Sequence, residues 1–199
     1  MAQKPMERRR FLTLASASAV ALATPAIVSA QSSDGPVPGQ IYQPKVSRNI
    51  SSFHNVRWQD HFDNLTNGAI VCDTKSRAVH FWSEDQSIYK LYPSSVPLTP
   101  ELTRLGYTEV VQKVVGPSWR PTPSMLERTP GLPAVVGPGP DNPLGSHALY
   151  LSWTYYRIHG THDTRKIGRK SSSGCIGLYN SQIAELFDLA KVGTQVRLI

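Results

Sequence analysis

The chain of 199 residues contains only two cysteines, Cys72 and Cys175. It therefore lacks the several disulfides that small secreted domains use to supplement a weak core. One bridge between the two cysteines is the alternative that an exported protein invites. We expect two free thiols, because Cys72 lies in the short apolar run AIVCD, where a cysteine usually behaves as a small buried hydrophobe.

Acidic residues are also scarce, with 14 Asp and Glu against 21 Lys and Arg, a net charge of +7. The first 30 residues carry a net +3 of this, which leaves +4 for the rest of the chain. A mild positive excess favours an anionic partner. No basic motif interleaved with aromatic residues is present, so we do not expect nucleic acid to be that partner.

Long hydrophobic runs are missing as well, since a spanning helix needs ~20 strongly apolar residues. Residues 11–23 are modestly apolar and contain Ser and Thr, and Pro25 follows them. Arg8-Arg9-Arg10 before this run and Val28-Ser29-Ala30 after it are typical of a twin-arginine signal and its cleavage site. We predict a signal peptide over residues 1–30, a periplasmic protein and no membrane attachment after cleavage. An uncleaved membrane anchor is the alternative.

The remaining 169 residues are enough for one domain with its own core. We predict a leader and N-terminal arm over residues 31–67, the latter packed by Trp58 and Phe62. The arm carries His54 and His61, but two histidines without further ligands make a poor metal site. We therefore predict no metal and no cofactor, and a folded domain over residues 68–199.

Runs of β-branched and apolar residues between turn signals predict a mostly β domain. The predicted strands are 69–72, 78–82, 88–92, 107–115, 146–151, 155–159 and 194–199. A short helix is predicted after Thr99. One longer helix is predicted with Asn180 as its N-cap and Gly193 after its end, because Ile183, Leu186, Phe187 and Ala190 repeat at i, i+3, i+4 and i+7.

Residues 116–145 hold eight of the 16 prolines. Such a composition is usual for a linker. Long ordered loops inside a domain often cover a functional site, however, so we favour a stiffened wall or cap.

The segment 155–180, YYRIHGTHDTRKIGRKSSSGCIGLYN, contains the residues of a nucleophilic site. A cysteine attacks as its thiolate and needs a base or a cation nearby, and the imidazole of His159 has an ordinary pKa near ~6.5. The polar loop after His159 is long enough to bring Cys175 back beside it. The Gly160 carbonyl can then fix the imidazole tautomer, and the N–H groups of Gly174 and Cys175 can face a developing oxyanion.

The pattern H-G-T followed by S-x-G-C-I-x-L resembles the L,D-transpeptidase catalytic domain of the YkuD-like family, in its periplasmic type. Segments 117–125, 141–145, 178–180 and 192–196 are also similar, so the resemblance covers roughly residues 69–199. It implies a β-rich α+β fold, a mixed β-sandwich or barrel with one helix on its C-terminal side. It also implies peptidoglycan stem peptides as the substrate. The catalytic residues implied are Cys175, His159 and Gly160; Gly174 and Ser173 are implied at the oxyanion and substrate site.

Two positions depart from the family pattern. Gly177 stands where the family usually has arginine, and Ser173 where many members have histidine. A replacement for the carboxylate-binding arginine is expected in Arg157, Arg165 or Arg169. Arg157 lies two residues before His159 and so shares its face of the strand.

Three functions remain open on these grounds. In the first, Cys175 forms a thioester that an acceptor amine resolves, which makes a 3-3 cross-link or, given the missing arginine, a 1-3 cross-link. In the second, water resolves the same thioester, as in an L,D-carboxypeptidase or a wall-detaching amidase. The third is a non-catalytic wall-binding module.

Overall fold

A computed structural model describes residues 55–199. The predicted signal peptide, the leader and His54 lie outside these residues. Within the part described, no helix is long and apolar enough to cross a membrane.

The described chain is built mainly from ten β-strands, which confirms the mostly β fold class. The strands are β1 (Ala69–Asp73), β2 (Ala78–Trp82), β3 (Tyr89–Pro93), β4 (Val96–Pro97), β5 (Gly106–Val115), β6 (His147–Leu151), β7 (Arg157–His159), β8 (Lys170–Ser172), β9 (Ile176–Gly177) and β10 (Gln195–Leu198). Eight of them form one mixed sheet in the order β3-β2-β1-β10-β5-β6-β7-β9. β4 and β8 form a separate parallel pair.

Two α-helices accompany the strands, α1 (Pro123–Arg128) and α2 (Asn180–Leu189). Only α2 was predicted. α1 lies inside the proline-rich segment, and its N-cap is Thr122, whose hydroxyl accepts from the N–H of Met125. The short helix predicted after Thr99 is one 3-10 turn, Pro100–Leu102.

Both predicted caps of α2 are wrong. Tyr179 occupies the N-cap position, without a side-chain hydrogen bond, and Asn180 is the first helical residue. At the other end the helix stops at Leu189, so Gly193 lies in the following turn, with φ 89°.

The main core lies between the large sheet and α2. Ile183 and Leu186 of α2 are fully buried against it, as the apolar spacing predicted. Each such side chain contributes roughly 1.5–3 kcal/mol of hydrophobic stabilisation. A second apolar cluster joins Phe62 and Leu65 of the N-terminal arm to Ala69 and Val71 of β1, with Trp58 packed against it. The prediction of an arm packed by Trp58 and Phe62 is therefore confirmed.

The pairing of β7 positions the functional segment. This strand runs antiparallel to β6 and parallel to β9, with Ile158 opposite Ile176 and His159 opposite Gly177. The residue just before β9, Cys175, therefore comes level with Arg157. The loop between β7 and β9 contains a 3-10 turn, Thr164–Lys166, and the short strand β8.

Candidate active site

His159 and Cys175, sixteen residues apart in sequence, line the same cavity of about 320 Å³. The parallel β7–β9 pairing brings them there; the sequence predicted that the loop would return Cys175 toward His159, but not this pairing. The other lining residues come from the residue before β4, the proline-rich segment, β7 with the two residues before it, and the β7–β9 loop: Ser95, Trp119, Arg120, Thr122, Met125, Leu132, Pro143, Leu144, Tyr155, Tyr156, Arg157, Thr161, His162, Lys166, Ser171, Ser172, Ser173 and Gly174.

One ring nitrogen of His159 is already engaged. Its Nδ1 lies 2.5 Å from the carbonyl oxygen of Gly160. Since a carbonyl only accepts, Nδ1 carries the proton and Nε2 keeps its lone pair. Burial is the main cause that lowers the pKa of His159 to about 4; the cations Arg157 and Lys166 act in the same direction, and the hydrogen bond to the Gly160 carbonyl opposes them. The imidazole is therefore a neutral base at pH 7.

Cys175 is a free thiol, and so is Cys72, which is buried in β1. The bridge considered from the sequence is not formed. The Cys175 thiol donates a hydrogen bond to the carbonyl oxygen of Tyr155, 3.2 Å away. Burial raises the pKa of this thiol, and the guanidinium of Arg157 opposes that shift. A protonated thiol and a neutral imidazole in the same cavity favour proton transfer during attack over a preformed ion pair.

A serine hydroxyl holds the turn that carries the cysteine. The Ser172 Oγ donates to the Cys175 carbonyl at 2.5 Å and accepts from the Gly174 N–H at 3.3 Å. The Gly174 N–H, which the sequence suggested as an oxyanion donor, thus has the Ser172 hydroxyl as its acceptor in this structure. Gly174 still permits the turn, with φ 136°. Ser173, its neighbour, lies on the cavity wall.

Asn180 fixes the backbone behind the imidazole. Its Oδ1 accepts from the N–H groups of Ser146 and Thr161, each at 3.1 Å. A Cβ added at Gly160 would lie 2.2 Å from this oxygen, and one at Gly145 only 2.1 Å from it. The close approach of Asn180 therefore requires glycine at both positions. Any residue at position 160 would supply a carbonyl to His159, so it is this lack of space that explains the glycine there.

Of the three arginines considered from the sequence, the structure brings only Arg157 to the cavity. Its guanidinium lies 4.6 Å from the centre of the Tyr150 ring. Arg165 pairs with Asp163 at 2.7 Å and is 74% exposed, and Arg169 is not on the cavity wall.

Two further cations that the sequence did not single out, Arg120 and Lys166, also line the cavity. No Asp or Glu belongs to the lining among the described residues. The cavity is thus suited to an anionic ligand.

The proline-rich segment forms a wall of the cavity, as predicted, through Trp119, Met125 and Leu132 among others. Asn142, which is fully buried, ties this segment together. Its Nδ2 donates to the carbonyls of Pro117 (2.7 Å), Gly137 (2.8 Å) and Val136 (3.2 Å), and its Oδ1 accepts from the N–H of Leu144 at 2.8 Å.

Within residues 55–199, no group of three or more His, Cys, Asp or Glu side chains is arranged to hold a metal ion.

Comparison with known proteins gives a consistent picture. The family model of the L,D-transpeptidase catalytic domain (YkuD) matches residues 67–198. A putative L,D-transpeptidase of Fuscovulum blasticum is 54% identical over 188 residues, 94% of each chain. The probable L,D-transpeptidase ErfK/SrfK of Escherichia coli is 36% identical over 69% of this chain, which spans only 45% of that relative.

Solved structures agree in fold. An L,D-transpeptidase from Mycobacterium smegmatis superposes with a TM-score of 0.53 at 20% identity, over 67% of this chain and 58% of that one. L,D-transpeptidase 3 from Mycobacterium tuberculosis, in complex with a faropenem-derived adduct, gives 0.51 at 15% identity, over 66% of this chain and 60% of that one.

Proposed function

Because the chain belongs to the L,D-transpeptidase catalytic domain family, we propose that it is a cysteine-dependent acyltransferase that cross-links peptidoglycan stem peptides. One observation carries this proposal. The Cys175 thiol and the His159 imidazole, its Nδ1 held by the Gly160 carbonyl, line one cavity.

The first half-reaction forms a thioester. The Sγ of Cys175 attacks a stem-peptide carbonyl that follows an L-configured centre, and the thiol proton passes to Nε2 of His159. Of the two N–H groups that the sequence suggested as oxyanion donors, that of Gly174 is bonded to Ser172, so the N–H of Cys175 is our candidate. The intermediate collapses, the C–N bond breaks, and the leaving amine takes the proton from His159.

The second half-reaction transfers the acyl group. An acceptor amine attacks the thioester carbonyl and gives its proton to His159. The C–S bond then breaks, and the departing sulfur regains that proton. Cys175 and His159 thus return to their starting forms, and no cofactor is required.

The positive lining of the cavity supports an anionic donor such as a stem peptide. Arg157 is our candidate for binding a donor carboxylate, because Gly177 supplies no side chain where the family usually has arginine. This change leaves two products to distinguish, a 3-3 and a 1-3 cross-link. The N-terminal sequence supports export to the periplasm by the twin-arginine route, where such a substrate is found.

The test is the product spectrum from purified muropeptides incubated with the wild-type chain and with Cys175→Ala. We expect dimers with the wild-type chain and none with the variant, and tandem mass spectrometry of the dimers identifies the cross-link. Trimmed monomers without dimers would indicate the hydrolase instead. Absence of any turnover, together with no covalent adduct at Cys175 after exposure to a carbapenem, would indicate the non-catalytic module.

A further inference from the structure

Ser95 lies on the cavity wall beside Gly177, and Gly177 is the position where the family usually has arginine. Ser95 is 4% exposed. Its N–H donates to the Gly177 carbonyl at 2.8 Å, and its own carbonyl accepts from the Gly177 N–H at 3.1 Å. This two-bond bridge fixes the backbone of Ser95 against Gly177, 82 residues later in the chain.

The Ser95 hydroxyl occupies the space that a side chain at position 177 would enter. A Cβ built on Gly177 would lie 2.3 Å from Ser95 Oγ, 3.6 Å from Ser95 Cβ and 4.0 Å from Cε1 of His159. The distance to Ser95 Oγ is far shorter than any real contact of a Cβ atom, whereas the distances to Ser95 Cβ and His159 Cε1 are ordinary van der Waals contacts. The space next to position 177, beside the imidazole, is therefore filled by a hydroxyl from the segment between β3 and β4.

This hydroxyl is available to a ligand. Ser95 belongs to the cavity wall, none of the hydrogen bonds described within residues 55–199 involves its Oγ, and this oxygen is not among the fully buried unpartnered atoms. The neighbouring Ser94 differs, because its Oγ is sealed away from solvent and the residue does not line the cavity. A buried wall that presents an unpaired donor gains a partner when substrate binds.

We propose that Ser95 contacts the donor substrate, and that its hydroxyl donates one uncharged hydrogen bond to a peptide carbonyl oxygen beside His159. This inference rests on the proposed transpeptidase function. A hydroxyl carries no charge to offset the lost hydration of a carboxylate, as an arginine does. The group bound here is therefore an uncharged amide, and the donor carboxylates lie against the cations Arg120, Arg157 and Lys166.

The contact is tested with Ser95→Ala and the matched control Ser94→Ala. The donors are a disaccharide tetrapeptide and its C-terminal carboxamide, and the readout is kcat/KM for thioester formation at Cys175 by intact mass. We expect Ser95→Ala to lose roughly 3- to 10-fold on both donors equally, as for one uncharged hydrogen bond. Ser94→Ala should change kcat/KM less than about twofold, since that hydroxyl already lacks a partner. An unchanged Ser95→Ala, or a loss confined to the free acid, would overturn the contact.

The filling of the space beside Gly177 by Ser95 Oγ is tested separately by a double-mutant cycle in thermal unfolding, which needs no substrate. Gly177→Ala should destabilise the chain, because its Cβ meets Ser95 Oγ at 2.3 Å. Ser95→Ala with Gly177→Ala should unfold at nearly the temperature of Ser95→Ala alone, because the remaining Cβ contact at 3.6 Å is ordinary. A double variant as unstable as Gly177→Ala would overturn this placement of the Ser95 hydroxyl.

A wild-type chain that forms no thioester with either donor would refute the proposed function and the substrate contact together. The thermal unfolding of the variants would still test whether Ser95 Oγ fills the space beside Gly177.

Discussion

The thiol of Cys175 donates to the carbonyl oxygen of Tyr155 at 3.2 Å. Tyr155 adopts φ 68°, a left-handed conformation that is uncommon for an aromatic residue. The carbonyl thus accepts a hydrogen bond from the protonated thiol, and in the mechanism that we propose the thiol turns toward His159 before its proton is transferred. Activation then depends on the basic form of His159, whose population is set by pH.

We expect the acid limb of kcat/KM for Cys175 acylation near pH 4, instead of near the ordinary imidazole value of ~6.5. Burial lowers the pKa of His159 to about 4, and below that pH the protonated ring cannot accept the thiol proton. The measurement is the acylation rate from pH 3.5 to 8 at constant ionic strength.

The folded fraction must be followed at each pH by circular dichroism. Between pH 6.5 and 4 the unfolded chain binds the His159 proton while the folded chain does not, so stability declines as pH falls through this window. If the acid limb of kcat/KM lay near pH 6.5 while the chain was fully folded, the expectation would be contradicted. The ring of His159 would then be exposed to water during the reaction.

Arg157→Met should lower kcat/KM for the donor by about 10- to 100-fold, the range for a lost charge-assisted hydrogen bond. It should also raise the pH at which iodoacetamide alkylates Cys175, because the guanidinium lowers the pKa of that thiol. Arg165→Met is the matched control, since Arg165 is exposed and pairs with Asp163 outside the cavity wall. Equal losses in the two variants would indicate a general charge effect.

Gly160→Ala should destabilise the chain by about 1–3 kcal/mol or more, the usual result of overpacking. The new Cβ would meet Asn180 Oδ1 at 2.2 Å and, at 3.1 Å, both Ile183 Cγ2 and the Ser146 nitrogen. Urea unfolding measures the loss. Gly137→Ala is the control, because nothing lies within 4 Å of its Cβ, and it should be neutral or slightly stabilising. A Gly160→Ala chain as stable as Gly137→Ala would contradict the packing around Asn180.

Asn142→Ala should loosen the wall of the cavity. It removes the donor to three carbonyls and the acceptor for the Leu144 N–H, and each group left buried and unpaired costs roughly 1–3 kcal/mol. We expect faster limited proteolysis within residues 117–144 and a higher KM for the donor. Asp141→Ala, an exposed neighbour, should change neither. Unchanged proteolysis in Asn142→Ala would mean that other contacts hold the segment.

Periodic patterns explain what could be predicted from the sequence. β1, β2 and the buried face of α2 follow from runs of five to ten residues whose spacing matches the element. β4, β8 and β9 have two or three residues each and carry no such signal. His159 and Cys175 could be proposed as a catalytic pair because their residue types and spacing are specific to one chemistry, and both line one cavity.

Long-range contacts explain the rest. Asn180 has the chemistry of an N-cap, yet its side chain bonds the backbone of Ser146 and Thr161, which no local pattern records. The bridge between Ser95 and Gly177 is equally invisible in the sequence. The departure at Gly177 could be noticed, but the residue that fills the space could not be named.

The last strand of the chain joins the two halves of the large sheet. β10 pairs with β1 on one side and with β5 on the other, so without it the order divides into β3-β2-β1 and β5-β6-β7-β9. The two groups of strands therefore cannot join into one sheet until Gln195–Leu198 has been synthesised. A frameshift or premature stop that removes Gln195–Leu198 would therefore divide the sheet, although these residues lie outside the cavity wall.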